Sequence, residues 1–245
     1  AHAYQQHPLL VGDPTTHITR GSTYDNAANL APSQLDQLRR LYEGTRLGRQ
    51  ELHGELLTDT PGAMWTLALI EEHRRVEHPP LRRVVVAIDP AVTAGEDSDL
   101  TGIVAAGIDA AGHVWVLADR TCRTSPDGWA RVAVDLYDEV GGDRVVAEVN
   151  NGGDLVTTVL RTVDFNLPVR TVHASRGKRV RAEPVAALYE QGRVHHVGVH
   201  AELEEQMTTW TPEVAGSPDR LDALVWAVTD LAIEPPRRRR RSVAA

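Results

Sequence analysis

Val84-Val85-Val86-Ala87-Ile88 is apolar at every position, and the run stops at Asp89-Pro90. A strand without polar alternation belongs in a sheet with helices on its faces. Thr101–Ile108 and His113–Arg120 follow as strands, the latter with Val114, Val116 and Ala118 alternating against Trp115 and Leu117. The connection between them is the short Ala110-Ala111-Gly112, so the three form an antiparallel meander. Beyond it the period changes. Pro126–Val140 reads as a helix with proline in its first turn, Arg144–Val149 as a strand, Gly153–Thr162 as a helix and Val169–Val172 as a strand. Arg181–Gln191 reads as a helix closed by Gly192, Val194–Val197 as a short strand, and His200–Trp210 and Pro218–Ile233 as helices. The order βββαβαβα, with further elements after it, defines an α/β fold built on a mixed five-stranded sheet with flanking helices.

Residues 1–80 have a different texture. His17–Arg20 is a candidate strand; Ser33–Tyr42, Leu47–Leu57 and Met64–Glu72 are candidate helices, and Pro79-Pro80 marks a boundary. The expected division is therefore an N-terminal helical extension over 1–80, a main domain over 81–234 and a basic, disordered tail over 235–245 carrying Arg237–Arg241.

At 245 residues the chain has room for one large domain plus an extension. With aromatics at 4%, Val, Leu, Ala and Ile must build the core. The net charge of -8 gives no global basic field of the sort that advertises nucleic acid. Positive charge is instead local, at Lys178, Arg179 and Arg181 and in the tail. The single Cys122 excludes an internal disulfide and a multi-cysteine zinc site. With neither a signal peptide nor an apolar run of about 20 residues, a cytoplasmic protein is expected.

Three acidic positions carry the chemistry. Asp89 ends the first sheet strand, where it serves either a metal or an ordinary turn. Glu148 lies within an apolar strand; a buried glutamate without a partner costs on the order of several kcal/mol, so it needs a metal or an arginine such as Arg144 or Arg120. Asp219 and Asp222 stand one turn apart at the start of the last helix, either complementing its dipole or presenting a joint acidic face. Carboxylates dispersed in sequence but each fixed to a rigid element suit Mg2+ or Mn2+ and hydrolysis assisted by two ions. The glycines of Asn150-Asn151-Gly152-Gly153-Asp154 would let a phosphate approach backbone N–H groups. His195 and His196 alternate across a strand and cannot easily share a metal. No GxxxxGK[ST] phosphate loop is present: Ser175-Arg176-Gly177-Lys178 lacks both its upstream glycine and the following Ser or Thr.

Taken together, Val85–Pro90, Ala147–Asp154, Lys178 with Arg181-Ala182-Glu183-Pro184-Val185, Gly192-Arg193-Val194 and Asp219–Ala227 resemble the C-terminal nuclease domain of the large terminase subunits of tailed bacteriophages. The resemblance spans about Val84 to Ala232. It implies an RNase H-like, RuvC-like fold and a metal-dependent endonuclease that cuts concatemeric double-stranded DNA during packaging, with Mg2+ or Mn2+, two ions, as cofactor. It also implies Asp89 and Glu148 as metal ligands, with Asp222, Asp219 or both as the third, and Lys178, Arg179 and Arg181 as contacts to the DNA backbone. Gly21–Asn26 through Tyr42–Thr45 and Gln50–Glu55 are similar to the family's connector between ATPase and nuclease. The implied partners are DNA, a portal protein and a small terminase subunit, in the cytoplasm of a bacterial host. Lacking the phosphate loop, the chain is expected to be an excised nuclease domain or a prophage remnant. Two other functions stay open: a junction resolvase on the same fold, and a non-catalytic fragment that docks DNA or portal.

Overall fold

The computed structural model describes residues 21–42, 52, 60–91, 100–149, 154–211 and 218–234. The candidate strand at 17–20, the candidate helix at 47–57 apart from Leu52, the glycine segment at 150–153 and the arginine run of the tail lie outside them. The chain divides into two compact units. One runs to Leu67 and includes Ala201–Thr211; the other comprises Ala68–His200 and the chain from Pro212 onward.

In the first unit a 3-10 turn, Thr23–Asn29, is set by a capping box. The Ser22 side chain accepts from the Asp25 N–H, and the Asp25 carboxylate accepts from the Ser22 N–H. Helix α1, Pro32–Tyr42, follows. The helix Ala201–Thr209, which becomes α6 in chain order, also belongs here.

The second unit opens with most of α2, Leu67–His73, three residues later than the pattern suggested. Its sheet contains β1 (Leu81–Asp89), β2 (Gly102–Asp109), β3 (Val114–Asp119), β4 (Arg144–Glu148), β5 (Val169–Val172) and β6 (Val194–His196). The helices are α3 (Pro126–Glu139), α4 (Asp154–Val163), α5 (Lys178–Glu190) and α7 (Asp219–Val228); the last runs on into a π-helical turn, Thr229–Ile233. The spatial order is β5-β4-β1-β2-β3-β6. β1–β2–β3 is an antiparallel meander, with a tight turn only between β2 and β3. β4 pairs with β1, β5 with β4 and β6 with β3, all in parallel.

The expected sheet of five strands is thus corrected to six. The additional member is the short strand Val194-His195-His196. Three residues carry no signal of where they pair, but all of them are buried and the strand is hydrogen-bonded to Val114–Val116.

The apolar run explains the central position of β1. Val86 and Ile88 face a core shared with Ile103, Val145, Ala147 and the inner sides of α3 and α4. The alternate positions, Val85, Ala87 and finally Asp89, point to the opposite face, where α7 packs across β2, β1 and β4. The Ser125 hydroxyl caps α3, whose Pro126 follows at N1.

Candidate active site

The β1–β4 ladder runs in parallel through Ile88 opposite Ala147, so the next residue on each strand is an acid: Asp89 and Glu148. Both lie at the strands' C-terminal ends. Helix α7 begins against the same rim and brings Asp219 and Asp222, both buried in its first turn. The structure therefore gathers all four acids named from sequence.

Two contacts set where α7 starts. Gly102 pairs with Asp89 across the β1–β2 ladder. A Cβ at Gly102 would lie 2.0 Å from the Asp219 carbonyl oxygen, so only glycine admits the helix backbone this close to the sheet. Arg220 then donates to Asp119 at the end of β3 across 2.6 Å, with both side chains largely buried. Neither residue was singled out from sequence. The one available signal for Arg220 was a cation placed between acids; Gly102 begins an apolar strand like any other small residue.

Helix α5 supplies the cations. Lys178 and Arg181 stand one turn apart on one side of it. The Lys178 Nζ lies 2.6 Å from Asp222 Oδ2. Arg181 donates from Nη1 to Glu148 Oε2 at 3.1 Å and from Nη2 to Asp222 Oδ1 at 3.2 Å. The Glu148 ion-pair partner considered from sequence, Arg144 or Arg120, is corrected to Arg181: Arg144 faces Asp230, and Arg120 pairs with Glu139. Trp226, one turn beyond Asp222 on α7, donates its indole N–H to the same Glu148 Oε2 at 2.6 Å. The Arg181 guanidinium stacks 4.8 Å from the Trp226 ring centroid. Arg179 is on the other side of α5, exposed and paired with Glu183.

The electrostatics follow from this crowding. Burial pushes the Asp89 carboxyl up to about 8, and repulsion from Asp222, Glu148 and Asp219 adds to it, with Lys178 opposing. The Asp222 carboxyl is also raised: burial outweighs the stabilising effect of Lys178 and Arg181. Burial, reinforced by the neighbouring acids, therefore favours the protonated form of Asp89 at neutral pH. Among the described residues, no three His, Cys, Asp or Glu side chains already form a metal cage.

The histidines lie elsewhere. The His195 ring stacks on Trp115, and its Nε2 lies 2.8 Å from His113 Nδ1. His196 instead meets the Tyr189 hydroxyl at 2.7 Å. The two rings take different partners, as strand alternation demands.

A central β1 flanked by an antiparallel meander on one side and parallel strands on the other, with acids at its C-terminal rim, is the RNase H-like arrangement. The chain belongs to the terminase RNaseH-like domain family, which matches residues 86–231. The fold is shared with three solved structures. The large terminase of bacteriophage HK97 is 14% identical, with a TM-score of 0.52 over 84% of this chain and 49% of that one. The nuclease domain of the large terminase subunit gp2 of bacterial virus Sf6 is 13% identical, with a TM-score of 0.52 over 68% of this chain and 98% of that one. The large terminase of a thermophilic bacteriophage, in complex with ATP-gamma-S, is 13% identical, with a TM-score of 0.51 over 85% of this chain and 54% of that one. The chain thus spans about half the length of the first and third of these proteins. A comparison with curated proteins gives no match. Among the described residues no helix is long and apolar enough to cross a membrane.

Proposed function

We propose that this acidic centre is the active site of a metal-dependent endonuclease, the cutting domain of a terminase large subunit acting on concatemeric double-stranded DNA. The observation that carries the proposal is the meeting of Asp89, Glu148, Asp219 and Asp222, from two adjacent strands and one helix, at a single rim of the sheet. The donors are hard carboxylate oxygens, which suit Mg2+ or Mn2+. Asp89 also holds a proton that a divalent cation would replace, so the residues fit the ion that the family implies. Asp89 and Glu148 would hold it together with the α7 acids. A bound ion would supply an activated water and offset charge on the leaving oxygen.

The protein's own groups do the positioning. Arg181 and Trp226 orient Glu148, Gly102 and Arg220 seat the helix that carries Asp219 and Asp222, and Lys178, more than a third exposed, lies at the edge of the centre. Arg179 is solvent-facing and can meet a DNA phosphate, a contact that gives affinity without base preference. A portal protein and a small terminase subunit are the further partners of such a subunit, in the cytoplasm of a bacterial host.

The test is plasmid cleavage. With Mg2+ or Mn2+ the chain converts supercoiled plasmid to nicked and linear forms, and Asp89→Ala abolishes this. Plasmid left intact at high enzyme, or cutting unchanged in Asp89→Ala, overturns the proposal; a strong preference for four-way junctions over duplex would reassign the same centre to resolution.

A further inference from the structure

We infer that Arg181 takes the place of a second metal ion, so that this centre binds one divalent cation per chain; the inference rests on the nuclease reading above. An ion shared between carboxylates bridges an oxygen of each. Arg181 already does this, with one Nη on Glu148 and the other on Asp222 at nearly equal distances of 3.1 and 3.2 Å. The planar fork of a guanidinium suits such bridging, whereas an ammonium reaches as a point charge.

Three further observations argue that Arg181 stays in place. Its side chain is only 10% exposed. One face is stacked on Trp226, whose indole N–H is bonded to the same Glu148 oxygen that Arg181 holds. Displacing the guanidinium would therefore strip Glu148 of a cation, break the ring contact and send a buried charge in search of a new partner. The acceptors are also allocated unevenly. Arg181 and Lys178 occupy the two oxygens of Asp222, and Arg181 and Trp226 converge on Oε2 of Glu148. A cation is then directed to the β1–β4 side, where Asp89 neighbours Glu148. Charge points the same way: once an ion has displaced the Asp89 proton, four carboxylates against Lys178 and Arg181 leave two negative charges, the amount one divalent ion neutralises. A second ion would turn the centre strongly positive unless the arginine left.

Arg181 is on this account a positioning residue and an internal counter-cation, in place of the DNA-backbone contact that the family resemblance suggested. The experiment is Mn2+ titration of the full chain by calorimetry, with electron paramagnetic resonance to detect coupled Mn2+ pairs, run alone and with a short duplex. One ion per wild-type chain and no coupled signal are expected under both conditions. Arg181→Met, which keeps the bulk and removes the charge, should take up a second ion with a coupled signal; Arg181→Lys should stay at one. Two ions on the wild-type chain, or Arg181→Met remaining at one, overturn the inference. Should Arg181→Met fail to fold, the wild-type count and Arg181→Lys still decide. Two ions with plasmid cutting intact sink this inference and leave the nuclease standing, whereas no Mn2+ bound and no cutting remove both.

Discussion

Gly102 and Asp219 are in backbone contact across the seam between β2 and α7: the Asp219 carbonyl oxygen occupies the space a side chain at Gly102 would need. Gly102 is also the residue paired with Asp89. The position of one acid and the helix that bears two others are therefore set through a single glycine.

Gly102→Ala should force the start of α7 away from the sheet, because the obstacle is backbone and not a movable side-chain end. A loss of about 1–3 kcal/mol is expected, in line with overpacking of a filled interior. Chemical denaturation measures it, and plasmid cleavage should fall more steeply than the folded fraction. Wild-type stability in Gly102→Ala would show that the helix start is not held there.

Asp89 links stability to pH. Its carboxyl titrates near 8 in the folded protein against 3.8 when unperturbed. The folded state thus binds the proton more tightly, and the associated stability is full below about pH 4 and is lost as pH rises through 8. Metal-free Asp89→Asn should show a smaller decline in Tm than the wild type between pH 5 and pH 9 while losing cleavage. The comparison is of the two slopes, because burial holds His195 below its usual range and costs stability in the opposite direction, as pH falls below 6.5. Parallel slopes in the two proteins would remove Asp89 as the source.

Asp230 anchors the far end of the same helix. Its side chain is 1% exposed and faces Arg170 and Arg144, on neighbouring strands β5 and β4, while Arg83 on β1 donates to the Asp230 and Leu231 carbonyl oxygens. Asp222, Trp226 and Asp230 recur at four-residue spacing, so one line of side chains runs from the acidic centre to this clamp. Asp230→Ala leaves the arginines without their carboxylate and should destabilise by about 3 kcal/mol, the low end for a broken buried pair because two of the arginines are partly exposed. A change under about 1 kcal/mol in urea denaturation would show that the clamp is dispensable.

Arg179 serves as the surface counterpart. Its pair with Glu183 is exposed on both sides. Arg179→Ala should shift stability by less than about 1 kcal/mol but, as a phosphate contact, should reduce the slope of log affinity against log salt for duplex DNA by about 1. An unchanged slope in a fluorescence-anisotropy salt series would restrict Arg179 to its pair with Glu183.

The candidate site was legible where composition and strand pattern carry the signal. An acid ending the apolar run at Asp89 and an acid inside the strand at Glu148 violate the expectation for buried positions, and such violations are visible one strand at a time. Partners were not visible in that way. Glu148 takes Arg181, 33 positions away, in preference to the arginine on its own strand. Arg144 lies four residues back on β4, at its opposite end beside Asp230. An indole is mostly hydrocarbon, so only the depth of Trp226 beside Glu148 turns its single N–H into a site contact. The short β6 was readable as a strand, but its seat at the edge of the sheet beside β3 depends on a pairing that no local pattern encodes.

By itself the sequence determined which elements form and which of them carry charge: local periodicity, proline and glycine punctuation and the cost of burying an acid are properties of short segments. Only the tertiary structure decided which charges neutralise each other. That choice depends on distances between segments far apart in the chain, so the pairing of Arg181 with Glu148 and Asp222, the close approach of Asp219 to Gly102 and the proton held by Asp89 appear only once β1, β4, α5 and α7 meet at one rim of the sheet.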